Sequence, residues 1–424
     1  GISWSRTKDL TRNTNRDSLS IMGVLGIDTK LSRNDGTSSY GEIISISESP
    51  LWNRIIWVGT DDGNIQVSKD AGKSWSEVSR NIQGLPSASY VSRVLASTKG
   101  RGTCYVTFDR HREGDWNPYI YKTEDYGQTW EKLHQGLPSG SVNVIIEHPD
   151  NSDVLFVGTE NSVFVSVNSG EKWAKVSANL PTTLYDDILI HPRDKDLVLG
   201  THGRSFWIID DLTPLHQLND DVLLSESYLY KPDISYRMQQ SGGWGRSNNL
   251  LNGVNHPNGV IINYTLKEFN ENDYVKIDII DNNNILVRSF TNNKEKLLSS
   301  LEKPVLSNTN DIEYALSGNN IKSLSPKSGG NKLIWDMRYP GFKSFDGMIL
   351  YSSPNVGPKA VPGTYKVRLT YNNEVMLQDF EILKDPRLSN TQNDYLEQFN
   401  FLEDNDQLNI EIPDQDCDEL ISEK

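Results

Sequence analysis

An eight-residue box recurs three times in one register, and nothing else in this 424-residue chain restricts its fold so tightly. Ser68-Lys69-Asp70-Ala71-Gly72-Lys73-Ser74-Trp75 is echoed by Thr123-Glu124-Asp125-Tyr126-Gly127-Gln128-Thr129-Trp130 and by Ser166-Val167-Asn168-Ser169-Gly170-Glu171-Lys172-Trp173. The third copy puts Asn168 for the Asp and Lys172 for the hydroxyl residue. Physical chemistry makes the box structural rather than catalytic. Asp70, Asp125 and Asn168 should accept bonds from amides of their own turn, and Gly72, Gly127 and Gly170 should supply a positive φ. Trp75, Trp130 and Trp173 should wedge an aromatic plate into the packing.

The flanks repeat too. Trp57-Val58-Gly59-Thr60, Phe156-Val157-Gly158-Thr159 and Val198-Leu199-Gly200-Thr201 occupy matching places. Inner strands are read at Ile43 to Ser47, Val142 to Ile146 and Ile188 to Ile190, so a unit is four short strands, the signature of a propeller blade. Gly1-Ile2-Ser3-Trp4 fits the end of a further box, and Ser5 to Thr11 fits the segment after one. Trp spacings of 71, 55 and 43 place a large insertion around Thr14 to Tyr40 and a smaller one at Asp109 to Pro118. A last unit without a box runs from Asp186 to about Asp211. Propellers take typically four to eight blades. Residues 1–213 are therefore expected to be the C-terminal blades, three and a half to four, of a partial propeller whose missing N-terminal blades a longer parent chain supplies.

Residues 214–258 are turn-rich and read as a crossover linker. Strand alternation returns at Val260 to Leu266, Tyr274 to Ile280, Ile285 to Phe290, Lys332 to Met337, Thr364 to Tyr371 and Val375 to Leu383, which makes 259–385 a β-sandwich. A short helix is expected near Lys294 to Leu301. The fold class is thus all-β. Residues 386–424 hold eleven acidic residues against Arg387 and Lys424, and so carry −9 of the net charge of −15. This acidic tail is expected to be disordered in part, with Tyr395, Leu396, Phe399 and Leu402 in a short helix.

The acidic balance argues against a nucleic-acid footprint, and no apolar run is long enough to span a membrane. Cys104 and Cys417 are the only cysteines, so no disulfide framework follows. Zinc spacing, phosphate-binding glycine loops and a Gly-x-Ser-x-Gly elbow are all missing, which disfavours metal, nucleotide and serine-hydrolase chemistry. No cofactor or metal is expected.

The boxes resemble the Asp-box, or BNR, repeats of sialidases, xyloglucanases and the ten-bladed sortilin propeller. Together with Lys8 to Asn13, Pro118 to Thr123 and Thr201 to Leu215, they look like bacterial proteins with sortilin-N-terminal-like propellers, commonly labelled glycosyl hydrolases. Gly329 to Arg338 and Pro362 to Leu369 look like the Ig-like domain of flagellar hook-capping proteins. The likeness reaches about residue 387. It implies an exported protein, periplasmic, extracellular or at the cell surface, with a glycan or peptide as ligand.

Ligands are expected on the face opposite the boxes, where the Gly-Thr strands turn over. Asp61, Asp62, Asp109 and Glu160 are the candidate catalytic carboxylates there. Arg110, His111, Arg112, Trp116, His202 and Arg204 are the candidate binding groups, with Asp115 on the same rim. A bland reading stands beside each: Asp61-Asp62-Gly63 and Glu160-Asn161 are good hairpin turns, and Asp109 to Asp115 suits a solvated loop. Recognition of a glycan or peptide is one expectation, a glycoside hydrolase with paired carboxylates a second, and a structural scaffold a third. A sialidase is disfavoured, since that rim offers only Arg110, Arg112 and Arg204.

Overall fold

A computed structural model describes residues 6–21, 23–28, 40–177, 179–238, 256–299, 321–341 and 356–406. Gly1–Asn219 and Asp220–Lys424 form two compact units.

The first unit holds four antiparallel meanders, the propeller-like, all-β arrangement that the repeat requires. Blade I is Ile43–Glu48, Ile56–Thr60, Ile65–Ser68 and Ser76–Glu77. Blade II is Tyr90–Ala96, Cys104–Asp109, Tyr119–Thr123 and Glu131–Lys132. Blade III is Val142–Glu147, Leu155–Thr159, Val163–Ser166 and Ala174–Lys175. Blade IV has three strands, Tyr185–Ile190, Leu197–Thr201 and Phe206–Ile209. The inner strand of blade II escapes the pattern reading because Ser92 and Arg93 interrupt its apolar run. In the Thr14 to Tyr40 insertion, Ser20–Ile21 pairs with Val24–Leu25. Cys104 is a buried apolar group between strands, and burial pushes its thiol pKa well up.

The box turn does what its residues dictate. Asp70 accepts from the Ser74 amide at 2.8 Å and its hydroxyl at 2.6 Å, and Asp125 repeats both bonds with Thr129 at 2.9 and 2.7 Å. Asn168 keeps the amide bond alone, from Lys172 at 3.1 Å, because lysine has no hydroxyl to give. These bonds hold the Asp70 carboxyl down at about 2, the Ser74 hydroxyl contributing most. The turn takes two successive left-handed residues, Ala71-Gly72, Tyr126-Gly127 and Ser169-Gly170. In two of the boxes the second must be glycine for a packing reason: a Cβ on Gly127 would come within 2.7 Å of the Val78 side chain, and one on Gly170 within 2.7 Å of Leu133, whereas one on Gly72 would meet only the Trp75 ring at 3.6 Å. Val78 and Leu133 stand just after the box of the preceding blade.

That post-box segment is a strap across the next blade. Asn81 donates to the Gly127 carbonyl at 2.7 Å, and the Trp173 indole donates to the Leu133 carbonyl at 3.2 Å. Residues 7–12 lie on blade I in the same manner, with the Trp75 indole donating to Thr7 at 3.0 Å and Asn64 to the Leu10 carbonyl at 2.6 Å. The likeness of Ser5 to Thr11 to a post-box segment thus has its counterpart in contacts from Thr7 onward; residues 1–5 lie outside the described residues. Inner strands are joined in their own way. Ser45 and Ser47 accept from the Val94 and Ala96 amides at 3.0 and 2.9 Å, occupying donors that an edge strand would leave open.

Blades I and IV each keep an uncovered apolar face. Ile46 is 65% exposed, whereas Ile145, in the same register of blade III, is 2% exposed and packs with Tyr105 of blade II. Phe206 is 78% exposed, whereas its counterpart Val163 is 1% exposed and packs with Tyr185 of blade IV. Ile44, Leu189 and Ile208 are exposed beside them.

In the second unit a three-stranded sheet is ordered Ser227–Leu229, Val260–Leu266, Gly329–Trp335. A six-stranded sheet is ordered Ser235–Arg237, Glu374–Lys384, Gly363–Tyr371, Val275–Ile280, Leu286–Thr291, Ile321–Ser323. One core draws on both, with Ile262, Tyr264 and Trp335 against Ile277, Val367 and Phe380, so the sheets pack as a sandwich. The expected linker needs correction. The unit begins at Asp220, and two strands lie between 227 and 237, too short for alternation to reveal them. Gly242 to Gly245 of that stretch lie outside the described residues. The expected helices appear at Lys294–Ser299 and Gln392–Asp406. The latter is seated by Tyr395 under the Arg237 guanidinium and by Phe399 against Tyr339, while residues 407–424 lie outside the described part.

Gly84 and Gly127 separate two causes of glycine preference, since both have positive φ but only Gly127 faces a neighbouring blade. Gly84→Ala should cost about 1–2 kcal/mol from backbone strain alone. Gly127→Ala should cost roughly 2–4 kcal/mol, because strain and overpacking add. Denaturant midpoints check this, and equal losses would dismiss the Val78 contact.

Candidate functional site

Each blade turns from its second to its third strand at the end away from the box, and there the chain walls a cleft of about 450 Å³. Asp61, Asp109 and His202 reach it from these turns, and His111, Arg112 and Glu113 from the blade II loop. A second set comes from the inner strands. All four carry an extra, unladdered residue at the same place, Ile44, Ser92, Asn143 and Asp186, where the pairing register shifts. A bulge re-aims a side chain at the cost of only a local break in the ladder, and Ser92, Asn143 and Asp186 all line the cleft.

Asp109 organises the blade II loop. Its carboxylate accepts from the His111 amide at 2.9 Å and meets the His111 Nδ1 at 2.6 Å, so the ring donates from Nδ1 and keeps Nε2 free of this pair. Burial works to raise the Asp109 carboxyl, but the two bonds from His111 outweigh it and hold it below its ordinary range. The same bond raises His111. Glu160, from blade III, brings a carboxylate oxygen within 4.8 Å of ligand atoms of Asp109 and His111. Burial, then the Asp109 charge, raises the Glu160 carboxyl. The environment therefore pushes two neighbouring carboxyls in opposite directions. Among the described residues these three form the one group able to reach a single cation, assembled from two blades and so invisible to sequence spacing.

The other candidates separate by their partners. Asp61 is buried, accepts from the Glu42 amide at 2.7 Å and the Gly41 amide at 3.0 Å, and is still raised because burial outweighs those bonds. Asp62 is fully buried and tied to Thr60 at 2.6 Å and the Arg12 amide at 2.7 Å, which makes it a fastener rather than a reactive group. Arg110 and Asp115 are paired at 3.1 Å and shape the loop. Trp116 is exposed, with its ring 6.2 Å from that of His111. Arg204 is exposed, does not line the cleft, and gives its carbonyl to the Trp207 indole at 3.0 Å.

Sequence reasoning missed Tyr40, Tyr90, Arg16, Arg93 and Glu113. Burial raises the two phenols and Glu113. Arg93 pairs with Asp187 at 2.7 Å, and the Arg16 guanidinium lies over the Tyr40 ring. Three arginines line the cleft, Arg16, Arg93 and Arg112, as many as the rim was expected to offer, with Arg16 and Arg93 standing where Arg110 and Arg204 were expected. Tyr90 could have been found from its place at the start of an inner strand. Arg16 and Tyr40 sit in an insertion that no repeat predicts.

Residues 118–225 match the model of the Sortilin-Vps10 family, described as sortilin, neurotensin receptor 3. That match runs from the third strand of blade II through blade IV and marks these as BNR-type propeller blades similar to those of sortilin. An oligoxyloglucan-reducing end-specific xyloglucanase of Emericella nidulans is 30% identical over 112 residues, 24% of this chain. The chain spans only 12% of that relative's length. A GH74 xyloglucanase structure from Xanthomonas campestris is 18% identical with a TM-score of 0.35, over 44% of this chain and 31% of its own. YCF48 from Cyanidioschyzon merolae is 14% identical with a TM-score of 0.26, over 40% of this chain and 56% of its own. Within the sortilin-like blades the Asp109–His111 pair has no counterpart in the shorter turns after Thr60, Thr159 and Thr201.

Because its pKa is raised on folding, His111 adds stability that is full below about pH 6.5, the unfolded value, and is lost as pH rises through the folded one. NMR titration should give His111 a midpoint above 6.5, and Asp109→Asn should bring it down. An unmoved midpoint would break the assignment.

Proposed function

We propose that the first unit binds a glycan in this cleft. One observation carries the reading: two tyrosines, three arginines and several carboxyls line one cleft, which offers the donors, acceptors and flat apolar faces that a sugar's hydroxyls and ring faces require. The similarity to an oligoxyloglucan-active enzyme supports a carbohydrate over a peptide. Export to the periplasm or cell surface belongs to the same reading and rests on the family resemblance. On glycan and peptide arrays the chain should bind oligosaccharides saturably, and Tyr90→Ala should weaken that binding about tenfold or more, an aromatic–sugar contact being of order 1–2 kcal/mol. Binding to peptides alone would replace the ligand class, and binding to neither would leave a scaffold.

A second reading, glycoside hydrolysis, is favoured by the split between Glu160 and Asp109. The raised Glu160 would act as acid, and the depressed Asp109 as the ionised partner. Their close approach suits the roughly 5 Å spacing of retaining enzymes better than the wider gap that admits a water. Glu160→Gln and Asp109→Asn should each cut release of reducing ends by about 100-fold or more, with retained anomeric configuration by NMR. Full turnover in both variants would remove them from the mechanism.

The uncovered faces around Ile46 and Phe206 are proposed as seams for further Asp-box blades of the same polypeptide, since equivalent residues inside the unit are covered by blades. In a Cys417→Ser background of the gene product, Ile46→Cys and Phe206→Cys should resist thiol labelling, while Lys73→Cys on the box turn should label freely. Rapid labelling at both seams would refute this. Protection that appears only at high concentration would put a second copy there instead.

A further inference from the structure

We propose that the bulge residues of the inner strands read the ligand, and that the Asn143 carboxamide donates to a sugar hydroxyl oxygen in the cleft. The inference rests on the glycan reading. Ladder pairing packs inner-strand side chains such as Val94, Val144, Ile145 and Ile188 into the cores; Tyr90 and Arg93 are laddered and still line the cleft, whereas the bulge residues leave the ladder altogether. The three that line the cleft differ in chemistry, a hydroxyl, a carboxamide and a carboxylate, as reading positions would and packing positions would not.

Their hydrogen bonds set them apart further. Ser92 is already spent, its Oγ donating to the Val142 carbonyl at 2.6 Å with Thr107 at 2.8 Å. Asp186 stands at the open edge, 3.5 Å from the His202 ring nitrogen. Asn143 differs: its Nδ2 is shut off from solvent and has no partner. Native folds rarely leave such a donor unmet, and because Asn143 lines the cleft, a turn of its carboxamide would bring the donor to a ligand there. The Arg93 Nε is a second buried donor without a partner. Asn143, Arg93 and Asp186 line the same cleft, so it offers two donors and an acceptor to a ligand whose groups both accept and donate, as the hydroxyls of a sugar ring do. An apolar or purely cationic ligand would leave the donors empty.

The test is isothermal titration of the whole chain with xyloglucan oligosaccharides, cellohexaose, mannohexaose and laminarihexaose, alongside thermal melts. Asn143→Asp keeps the shape and turns the donor into an acceptor, and should weaken the best-bound sugar about tenfold or more, in line with loss of one buried hydrogen bond. Asn143→Ser serves if that variant melts early, and should change the order of preference among the sugars. Ile44→Ser, at the one bulge outside the cleft, should bind as the parent does. Unchanged affinity and selectivity in both Asn143 variants overturns the inference and leaves the glycan reading intact. Equal weakening by Ile44→Ser overturns it as a general effect on the strands. If the parent chain binds none of the sugars, both readings fall.

Discussion

The strap that runs from each box onto the next blade is the contact on which the first unit depends. A propeller blade is a small sheet with two faces and no core of its own, so it is stable only against a neighbour. The box supplies a rigid turn, closed by Asp or Asn on its own amides, and in blades II and III the glycine at its apex leaves room for one apolar side chain of the preceding unit. The joint is thus steric as well as hydrogen-bonded, and it repeats from Val78 on Gly127 to Leu133 on Gly170. Once blades are fixed at their outer ends, their inner strands lie side by side, and serine hydroxyls complete the exposed amides there.

Everything the repeat dictates was readable in the residues: the box turns, the Gly-Thr strands and the face on which the second strand turns over. The cleft was half readable. Asp61, Asp109 and His202 are in its wall because each lies in a turn whose place the register fixes, and His111 and Arg112 follow Asp109 in the blade II loop. Asp62 could not be told from Asp61 by sequence, since adjacent turn residues point oppositely and only the structure says which one the N-terminal segment covers. Glu113, Arg16 and Tyr40 belong to insertions, which obey no period. The bulge positions were hidden for a different reason: an extra residue in a strand shifts alternation by one and reads as noise. In the second unit, alternation disclosed the long strands, whereas Ser227–Leu229 and Ser235–Arg237 are too short to show a period at all.

The cleft also corrects an inference from bulk charge. The chain is acidic overall, but the wall sets Arg16, Arg93 and Arg112 among Asp61, Asp109, Glu113 and Asp186, and burial favours the neutral forms of Asp61 and Glu113. Three guanidinium groups among four carboxyls leave no large excess of either sign, so the electrostatics there is one of short, directed hydrogen bonds rather than of a field that draws ions from a distance.

Uncovered faces at Ile46 and Phe206 mean that the four blades are not equivalent in stability, although they are nearly equivalent in sequence. In a stacked array each member owes its persistence to the joints on either side of it. Blades II and III have two joints apiece, and each outer blade has one face without cover. Opening should therefore travel inward from the rims, as a zip rather than a melt. The cleft takes more of its wall from blade II than from any other blade, while Asp61, Asp186 and His202 come from the outer two, so its middle should let go last and its ends first.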